Sequence, residues 1–291
     1  MDYGLKTSYP DSTKPRTWLK SQFPWLRPVI RGFRRMRNGV REKQETALYR
    51  IRGRQGSLYE IRPNLHFRAP QSAWRKSFHA FAPDGYCADE FDAFLKTCHS
   101  GMAIIDVGAN FGIFSLATLK AHADSKALAI DPAPGSIEML KELRTLNKFA
   151  DQRLLIRECA IGDTDGSITV DSTHWDHVAV TAKENGKARA VELRSLDSLS
   201  KELKFAPTHI KIDVEGFELA VLRGGLEVLR TYRPVLMLEI HDRILSKADA
   251  QAIQDFLERE HYQRHWQSLE SDVKGAVVVR RTLWHPAVSQ K

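Results

Sequence analysis

Strand-like and helix-like hydrophobic patterns alternate regularly between residues 100 and 291. A short β-branched run, Ala103–Val107, is followed by a glycine-containing turn and a helical stretch, Ile113–Ala121. Apolar strands that alternate with helices are typical of a parallel sheet covered on both faces. The pattern therefore predicts a doubly wound α/β domain with a mostly parallel, seven-stranded, Rossmann-like sheet. The other strand-like runs are Ala127–Asp131, Leu154–Ile161, Ile168–Val170, Ala190–Leu193, His209–Val214 and Val235–His241.

Helix signals lie between these runs. Ser136 is a candidate N-cap for one helix, and Ser246 opens another with an acidic residue three positions later, close to a capping box. Leucines at helical spacing over residues 219–229 predict a third helix with one buried stripe. Tyr262–Leu269 and Ala276–Leu283 predict an antiparallel pair that closes the sheet.

The residues before the main domain have a different pattern. Three short β-like runs are separated by Gly and Pro, at Ala47–Ile51, Ser57–Ile61 and Leu65–Phe67, and a helical stretch follows at Asp89–Thr97. These features predict a small sheet or cap ahead of the main domain. The predicted division of the chain is an extension at 1–45, a cap at 46–99 and the main domain at 100–291.

Positive charge is concentrated at the N-terminus. The chain has a net charge of +8, and residues 1–54 carry fourteen Lys and Arg against four Asp and Glu. The remainder is slightly acidic, which argues against nucleic acid as a partner of the domain. Between Trp18 and Met36, apolar residues recur at spacings of three and four among arginines, interrupted by Pro24 and Pro28. This basic amphipathic segment predicts either peripheral contact with an anionic membrane, at its inner face, or packing on the main domain.

Cysteine usage points to a reducing compartment. Cys87, Cys98 and Cys159 are odd in number and form no Cys-x-x-Cys pair, which argues against a disulfide framework and a structural zinc. The sequence contains no run of about 18 or more apolar residues, which is the length needed to span a bilayer. We therefore expect a cytoplasmic protein.

The strongest local motif is Asp106-Val-Gly-Ala-Asn-Phe-Gly112, directly after the first strand of the main domain. Gly108 permits a sharp turn, and Gly112 lets the next helix start close to the strand and to a ligand. Asn110 stands where a dinucleotide-binding motif has its second glycine, which weakens a pyrophosphate-binding interpretation. A purely structural glycine turn is the alternative.

A second acid sharpens this motif. Asp131 ends the next strand, where a carboxylate can accept hydrogen bonds from both hydroxyls of an adenosine ribose. The alternative is that Asp131 caps the helix that follows Pro132.

Four stretches in this order resemble the FkbM family of methyltransferases, over roughly residues 85–245. They are Ile105-Asp-Val-Gly-Ala-Asn-Phe-Gly112, Cys159-Ala-Ile-Gly-Asp163, Lys211-Ile-Asp-Val-Glu-Gly216 and Leu238-Glu-Ile-His241. The resemblance implies a class I methyltransferase fold, S-adenosylmethionine as the methyl donor, and an acceptor hydroxyl on a sugar, a glycan or a related small molecule. Asp131 takes a place where the family often has Glu. The cofactor-binding residues implied are Asp106, Gly108, Asn110, Phe111, Gly112, Asp131, Ala160, Ile161, Asp163 and Asp213.

Methyl transfer to an alcohol requires an aligned acceptor and a group that takes up its proton. Asp213 and Glu239 lie near the ends of two predicted parallel strands, and His241 lies two residues beyond Glu239, on the same side. With Glu215, they form the predicted catalytic cluster. We expect His241 to be the base, because its ordinary pKa suits neutral pH, with Asp213 as the second candidate.

Each of these residues has a simpler interpretation. His241 could end a strand without a chemical role, and Glu215 could pair with Lys211 or Arg223. The same groups could bind a divalent metal, but no metal-specific spacing is present, so no metal is predicted.

Aromatic residues beside polar ones give a further hypothesis about the acceptor. Trp175, Trp74 and Tyr86 could stack on a sugar face, or they could be ordinary surface aromatics. The competing functional classes are a nucleotide-dependent oxidoreductase and a catalytically inactive S-adenosylmethionine-binding module. The oligomeric state has no signal in the sequence.

Overall fold

A computed structural model describes residues 56–171, 179–180, 188–271 and 275–287. These residues belong to one compact unit, Gln55–Lys291. The predicted run Ala47–Ile51, the basic segment 18–36 and Trp175 lie outside the described residues. No described helix is both long enough and apolar enough to cross a bilayer.

A seven-stranded sheet organises the molecule, in the order β12-β13-β11-β10-β3-β4-β5. Its strands are β3 (Ala103–Val107), β4 (Lys126–Ile130), β5 (Leu154–Arg157), β10 (His209–Ile212), β11 (Val235–Ile240), β12 (Tyr262–Ser271) and β13 (Val277–Pro286). The central strands are parallel, and β13 is antiparallel to both of its neighbours. The predicted doubly wound fold and its closing antiparallel pair are therefore confirmed.

Eight α-helices are assigned within the described residues, with a short 3-10 helix at Phe78–Phe81. They are α1 (Gln71–Lys76), α2 (Ala88–Leu95), α3 (Ile113–Ala121), α4 (Pro134–Leu146), α5 (Leu196–Leu203), α6 (Glu218–Arg223), α7 (Leu226–Tyr232) and α8 (Lys247–Arg259). The sequence pattern anticipated α3 and α8 closely but gave no helix at α5.

Two hydrophobic clusters cover the two faces of the sheet. Successive residues of β3 enter different clusters, with Ile104 in one and Ile105 in the other. This is the expected result of strand geometry, since neighbouring side chains point to opposite faces. The same architecture brings the carboxyl ends of β3, β10 and β11 to one edge, because these strands are parallel and in register.

The residues before β3 pack into this core. β1 (Ser57–Arg62) and β2 (Leu65–Ala69) form an antiparallel hairpin. Phe67 of the hairpin and Phe91 of α2 share one cluster with Phe114 of α3, and the Phe91 and Phe114 rings meet edge to face.

A separate four-stranded sheet corrects the predicted strand Leu154–Ile161. β5 ends at Arg157, and β6 (Ala160–Gly162) pairs with β9 (Ala188–Ser195) instead of continuing the large sheet. The remaining strands of this second sheet are β7 (Gly166–Asp171) and β8 (Ala179–Val180). Apolar residues resume after Arg157 and Glu158 because Cys159 and Ile161 stay in the core after the chain changes direction.

The predicted helix over residues 219–229 is also corrected, because it is two helices that separate at Gly224 and Gly225. A side chain at Gly224 would place its Cβ 2.0 Å from the carbonyl oxygen of Gly162. The close approach of β6 therefore explains why small residues interrupt the leucine pattern.

The two predicted caps have different outcomes. Ser246 accepts a hydrogen bond from the backbone N–H of Asp249, as predicted. The prediction for Ser136 is wrong: α4 begins at Pro134, and Ser136 is buried within the first turn. Proline is favoured at this first helical position because its missing N–H needs no partner there.

Candidate active site

The turn after β3 lies directly against the end of β10. Gly108 and Gly112 have positive φ values of 70° and 73°. A Cβ at Gly108 would lie 1.8 Å from the carbonyl oxygen of Asp213. Only glycine satisfies both the backbone conformation and this approach, so the turn and the predicted catalytic strand end form one unit.

Asp106 stabilises the start of the helix behind this turn. Its carboxylate is completely buried, and Oδ2 accepts hydrogen bonds from Ser115 N and Oγ, at 3.2 and 2.7 Å. Burial raises the pKa of Asp106 and the charge of Lys211 opposes the shift. Oδ1 is buried without a hydrogen-bond partner among the described residues.

Asp131 connects the glycine turn to the beginning of α4. Oδ2 accepts from Asn110 N and Oδ1 accepts from Ala133 N, both at 2.8 Å. Burial raises the pKa of Asp131 to about 6, against these hydrogen bonds. Both oxygens of Asp131 therefore accept hydrogen bonds from backbone N–H groups, and the predicted contact with a ribose stays a prediction.

The remaining residues predicted to bind the cofactor differ in exposure. The side chains of Phe111 and Ile161 are buried in the core, so a ligand contact there would use their backbone. Asp163 is exposed just after β6, and Ala160 is half-buried.

The predicted catalytic residues Asp213, Glu239 and His241 come together at the shared strand edge. His241 Nε2 lies 3.7 Å from Asp213 Oδ1 and 3.9 Å from Glu239 Oε1. The other ring nitrogen, Nδ1, lies 2.9 Å from Oε1 of Glu218. Lys211 donates to Asp213 Oδ2 at 2.9 Å. The sequence therefore predicted the members of this cluster, but not its two further partners.

Glu215 is placed differently. It is exposed in the turn after β10, with a φ of 51°. Lys211, one of its two proposed partners, pairs with Asp213 instead.

Arg281 of β13 completes the cluster from the other side. It donates to Glu239 Oε1 at 3.2 Å and to Glu270 Oε2 at 2.9 Å. Its Nε lies 3.3 Å from Oε2 of Glu90, a carboxylate of α2 that is 1% exposed. Arg281 thus joins three strands and a helix at the candidate site.

The charges in this cluster separate the pKa values of its members. Burial and the neighbouring charge of Asp213 raise the pKa of Glu239 to about 7. Burial opposes the charged form of His241, but the hydrogen bond to Glu218 and the charge of Asp213 outweigh it and raise its pKa to about 9. Burial, then the charge of Glu239, raises the pKa of Glu90 to about 8. Near neutral pH, His241 therefore holds a proton while Glu239 is close to its titration point.

The cluster has the donor types of a metal site. Asp213, Glu239 and His241 each offer one ligand atom, all within 4.8 Å of one another. Lys211 and Arg281 already supply positive charge to the two carboxylates. We therefore assign no metal ion to these residues.

Sequence reasoning missed Lys211, Glu218, Glu90 and Arg281 as members of the cluster. Lys211 and Glu218 lie in or beside the stretch that resembles the FkbM family, but the motif did not indicate what role these two residues have in the site. Glu90 and Arg281 carried no local signal, because an acid in a helix and a basic residue in a strand are common on surfaces.

Comparison with known proteins identifies the family. The family model of the methyltransferase FkbM domain matches residues 106–264, which is more than half of the chain. The chain belongs to the FkbM methyltransferase family. The matched residues include the glycine turn, Asp131, Asp213, Glu239 and His241, whereas Glu90 and Arg281 lie outside the matched range.

The similarity to three known methyltransferases is measured by sequence identity, coverage and, for the two solved structures, TM-score. Methyltransferase sdnD from Sordaria araneosa is 27% identical over 135 residues, or 45% of this chain and 48% of that protein. The chain thus spans about half the length of this curated relative. A crystal structure of methyltransferase FkbM from Methylobacillus flagellatus is 18% identical, with a TM-score of 0.45 over 64% of this chain and 44% of that one. The B. subtilis tRNA methyltransferase TrmK is 16% identical, with a TM-score of 0.40 over 67% and 64%.

Proposed function

We propose that this protein is an S-adenosylmethionine-dependent O-methyltransferase that acts on a hydroxyl group of a sugar, a glycan or a related small molecule. One observation carries the proposal: the glycine turn of the family motif is packed against Asp213, which belongs to the ionisable cluster. A donor held by the turn therefore lies beside groups that can take up a proton.

The residues at the turn fit a sulfonium donor. Asp106 has a buried carboxylate oxygen without a hydrogen-bond partner among the described residues, which could accept a hydrogen bond from the methionine half of the donor.

The cofactor would supply an electrophilic methyl group, and this chain would supply alignment and a base. Glu239 is the favoured base, because a carboxylate whose pKa is about 7 is half ionised near neutral pH and still basic enough to accept a proton. This changes the expectation from sequence, which favoured His241. A protonated His241 instead stabilises the ionised forms of Asp213 and Glu239.

The charge of the main domain supports an uncharged acceptor. The chain after residue 54 is slightly acidic, so it offers no general attraction to a polyanionic substrate. Tyr86 is 72% exposed on the segment that precedes α2, and the charges of Glu239 and Arg281 act on its hydroxyl. We infer that Tyr86 is available to stack on a sugar face.

Calorimetric titration with S-adenosylhomocysteine, NAD and NADP tests the donor. We expect S-adenosylhomocysteine to bind and both dinucleotides to fail. Asp131→Ala should weaken the binding, whereas Asp151→Ala, which removes an exposed acid, should not. Preference for a dinucleotide would refute the proposal and support an oxidoreductase.

Methyl transfer to a panel of sugars and glycans, with tRNA as a comparison, tests the acceptor. Binding of S-adenosylhomocysteine without transfer to any member would favour an inactive binding module. Transfer to tRNA alone would overturn the acceptor class and leave the donor assignment intact.

A further inference from the structure

The carboxylate of Glu218 is the one acid of the cluster that is completely buried and directly bonded to His241. Its Oε1 receives the backbone N–H of Gly216 at 3.0 Å and faces His241 Nδ1 at 2.9 Å. Glu218 lies at the start of α6, whereas His241 follows β11. This contact therefore connects the two turns that carry the proposed catalytic groups.

Hydrogen-bond chemistry fixes the orientation of the ring. An ionised carboxylate only accepts hydrogen bonds, so Nδ1 must carry the proton that Glu218 receives. The opposite nitrogen, Nε2, then points to Asp213 and Glu239, at 3.7 and 3.9 Å. A histidine nitrogen takes its role from the bond that the other nitrogen makes.

We propose that Glu218 is a positioning residue that holds His241 by its Nδ1–H, so that a charged Nε2–H is directed at Asp213 and Glu239. For its catalytic consequence, the proposal rests on the proposed function. Its geometric part does not depend on the identity of the donor or the acceptor.

The packing of the two turns supports this role. Gly216 has a φ of 101°, and a Cβ there would lie 2.9 Å from Ile244 Cγ2. The backbone N–H of Ile244 in turn bonds to the carbonyl of His241. The segment after β11 is therefore seated on the Gly216 turn, and the Glu218 carboxylate fixes the ring within that contact.

The charge on His241 matters because several groups compete for protons here. Burial and Asp213 raise the pKa of Glu239, while Arg281, Lys211 and His241 lower it. Glu90, on α2, adds a further carboxylate next to Arg281. Loss of the His241 charge would therefore raise the pKa of Glu239 and delay the formation of the base as pH increases.

Nitrogen NMR of the full chain, labelled with ¹⁵N-histidine, tests the geometry directly. The signal of His241 is identified by its absence in His241→Asn. We expect His241 to lose one proton at a pH well above the ordinary histidine pKa, and the neutral ring then to keep the Nδ1–H tautomer.

Glu218→Gln tests the role of the carboxylate charge. The amide oxygen preserves the acceptor but not the charge, so the pKa of His241 should fall by at least about 1 with the tautomer retained. Glu227→Gln removes an exposed acid of α7 and should leave the His241 signal unchanged.

Enzyme kinetics test the consequence. In Glu218→Gln, His241 should lose its charge at about pH 8 instead of about 9, so Glu239 is less ionised and kcat between pH 8 and 9 should fall about 2-fold or more, with little change in KM. A role in stability alone would lower the melting temperature but would not move the pH profile.

Two results would overturn the inference: an Nε2–H tautomer of neutral His241 in the unmodified protein, or an unchanged His241 titration in Glu218→Gln. Failure of the proposed function is distinguishable, because the NMR result would then stand while donor binding is absent. If Glu218→Gln fails to fold, Glu218→Asp provides the same reading, since a shortened acid should weaken the Nδ1–H contact and lower the pKa of His241.

Discussion

The two halves of the candidate site use carboxylates in different ways. On the side of β3 and β4, Asp106 and Asp131 accept hydrogen bonds from backbone N–H groups at the starts of helices and turns. On the side of β10 and β11, Asp213 and Glu239 pair with Lys211 and Arg281, and both face His241 across gaps longer than a hydrogen bond.

This difference indicates that the first pair of carboxylates stabilises the fold and that the second pair is available for proton transfer. A carboxylate whose oxygens hold backbone groups stabilises the local fold and cannot move without breaking it. A carboxylate that pairs with cationic side chains can exchange a proton without breaking a hydrogen bond to the backbone. We therefore expect mutations on the first side to affect stability and ligand binding, and mutations on the second side to affect turnover.

The largest effect is expected at Gly108. In Gly108→Ala, the new Cβ would meet the carbonyl of Asp213 in a backbone conformation that disfavours side chains, so the free energy of unfolding should fall by about 3 kcal/mol or more. Gly166→Ala is the matched control, because no atom lies within 4 Å of its Cβ position. Urea unfolding measures both. Equal loss in the two variants would show that the turn and β10 are not tightly packed.

The next effect contrasts Glu239 with Asp131. Glu239→Gln should lower kcat about 100-fold with a small change in stability, because it removes the proposed base. Asp131→Asn should lower the free energy of unfolding by about 1–3 kcal/mol, because a buried backbone N–H loses a charged acceptor.

Steady-state kinetics and urea unfolding of the same two proteins check this contrast. A large loss of kcat in Asp131→Asn with unchanged donor binding would show that the β3–β4 side takes part in the chemical step, and this would contradict the comparison.

The smallest expected effect is the pH dependence of stability. Glu90, Asp131 and Glu239 have raised pKa values of about 8, 6 and 7, so the folded state binds extra protons and stability should fall as pH rises from about 4, the ordinary carboxyl range, through these values. His241 acts in the same direction, since the stabilisation from its raised pKa is lost as pH passes about 9.

His209 acts in the opposite direction. Burial lowers the pKa of His209 to about 4, so folding releases its proton and the contribution of His209 to stability should decrease as pH falls below about 6.5. Between about pH 4 and 6.5 this one histidine opposes three carboxyl groups, so thermal stability should decline from the acid end of the range toward pH 9. His209→Gln should make this decline steeper below about pH 6.5 alone, and stability that rises between pH 6 and 8 would contradict the raised carboxyl pKa values.

Local patterns in the sequence predicted the main features of the fold. Apolar runs and helical periodicity gave β3, α3 and the closing hairpin, because burial on the two faces of a sheet imposes these patterns directly. The same reasoning failed where a hydrophobic pattern resumes after a short break of two residues. The run over 154–161 enters two sheets, and the leucines over 219–229 span two helices.

For the site, the sequence identified Asp213, Glu239 and His241 because parallel strands bring their carboxyl ends to one edge. From the sequence, His241 was expected to be the base, whereas the function proposed above assigns this role to Glu239. The preference moved from His241 to Glu239 because the pKa of each group depends on burial and on neighbours that are distant in sequence.

The sequence by itself determined the order of the main strands and helices, the glycines of the turn and the family, since these features depend on residues that are close along the chain. The tertiary structure alone decided which carboxylates accept hydrogen bonds from backbone N–H groups and which form ion pairs with Lys or Arg. Glu90 and Arg281 come from opposite ends of the described chain, and their effect on Glu239 exists only after folding removes water and brings their charges together.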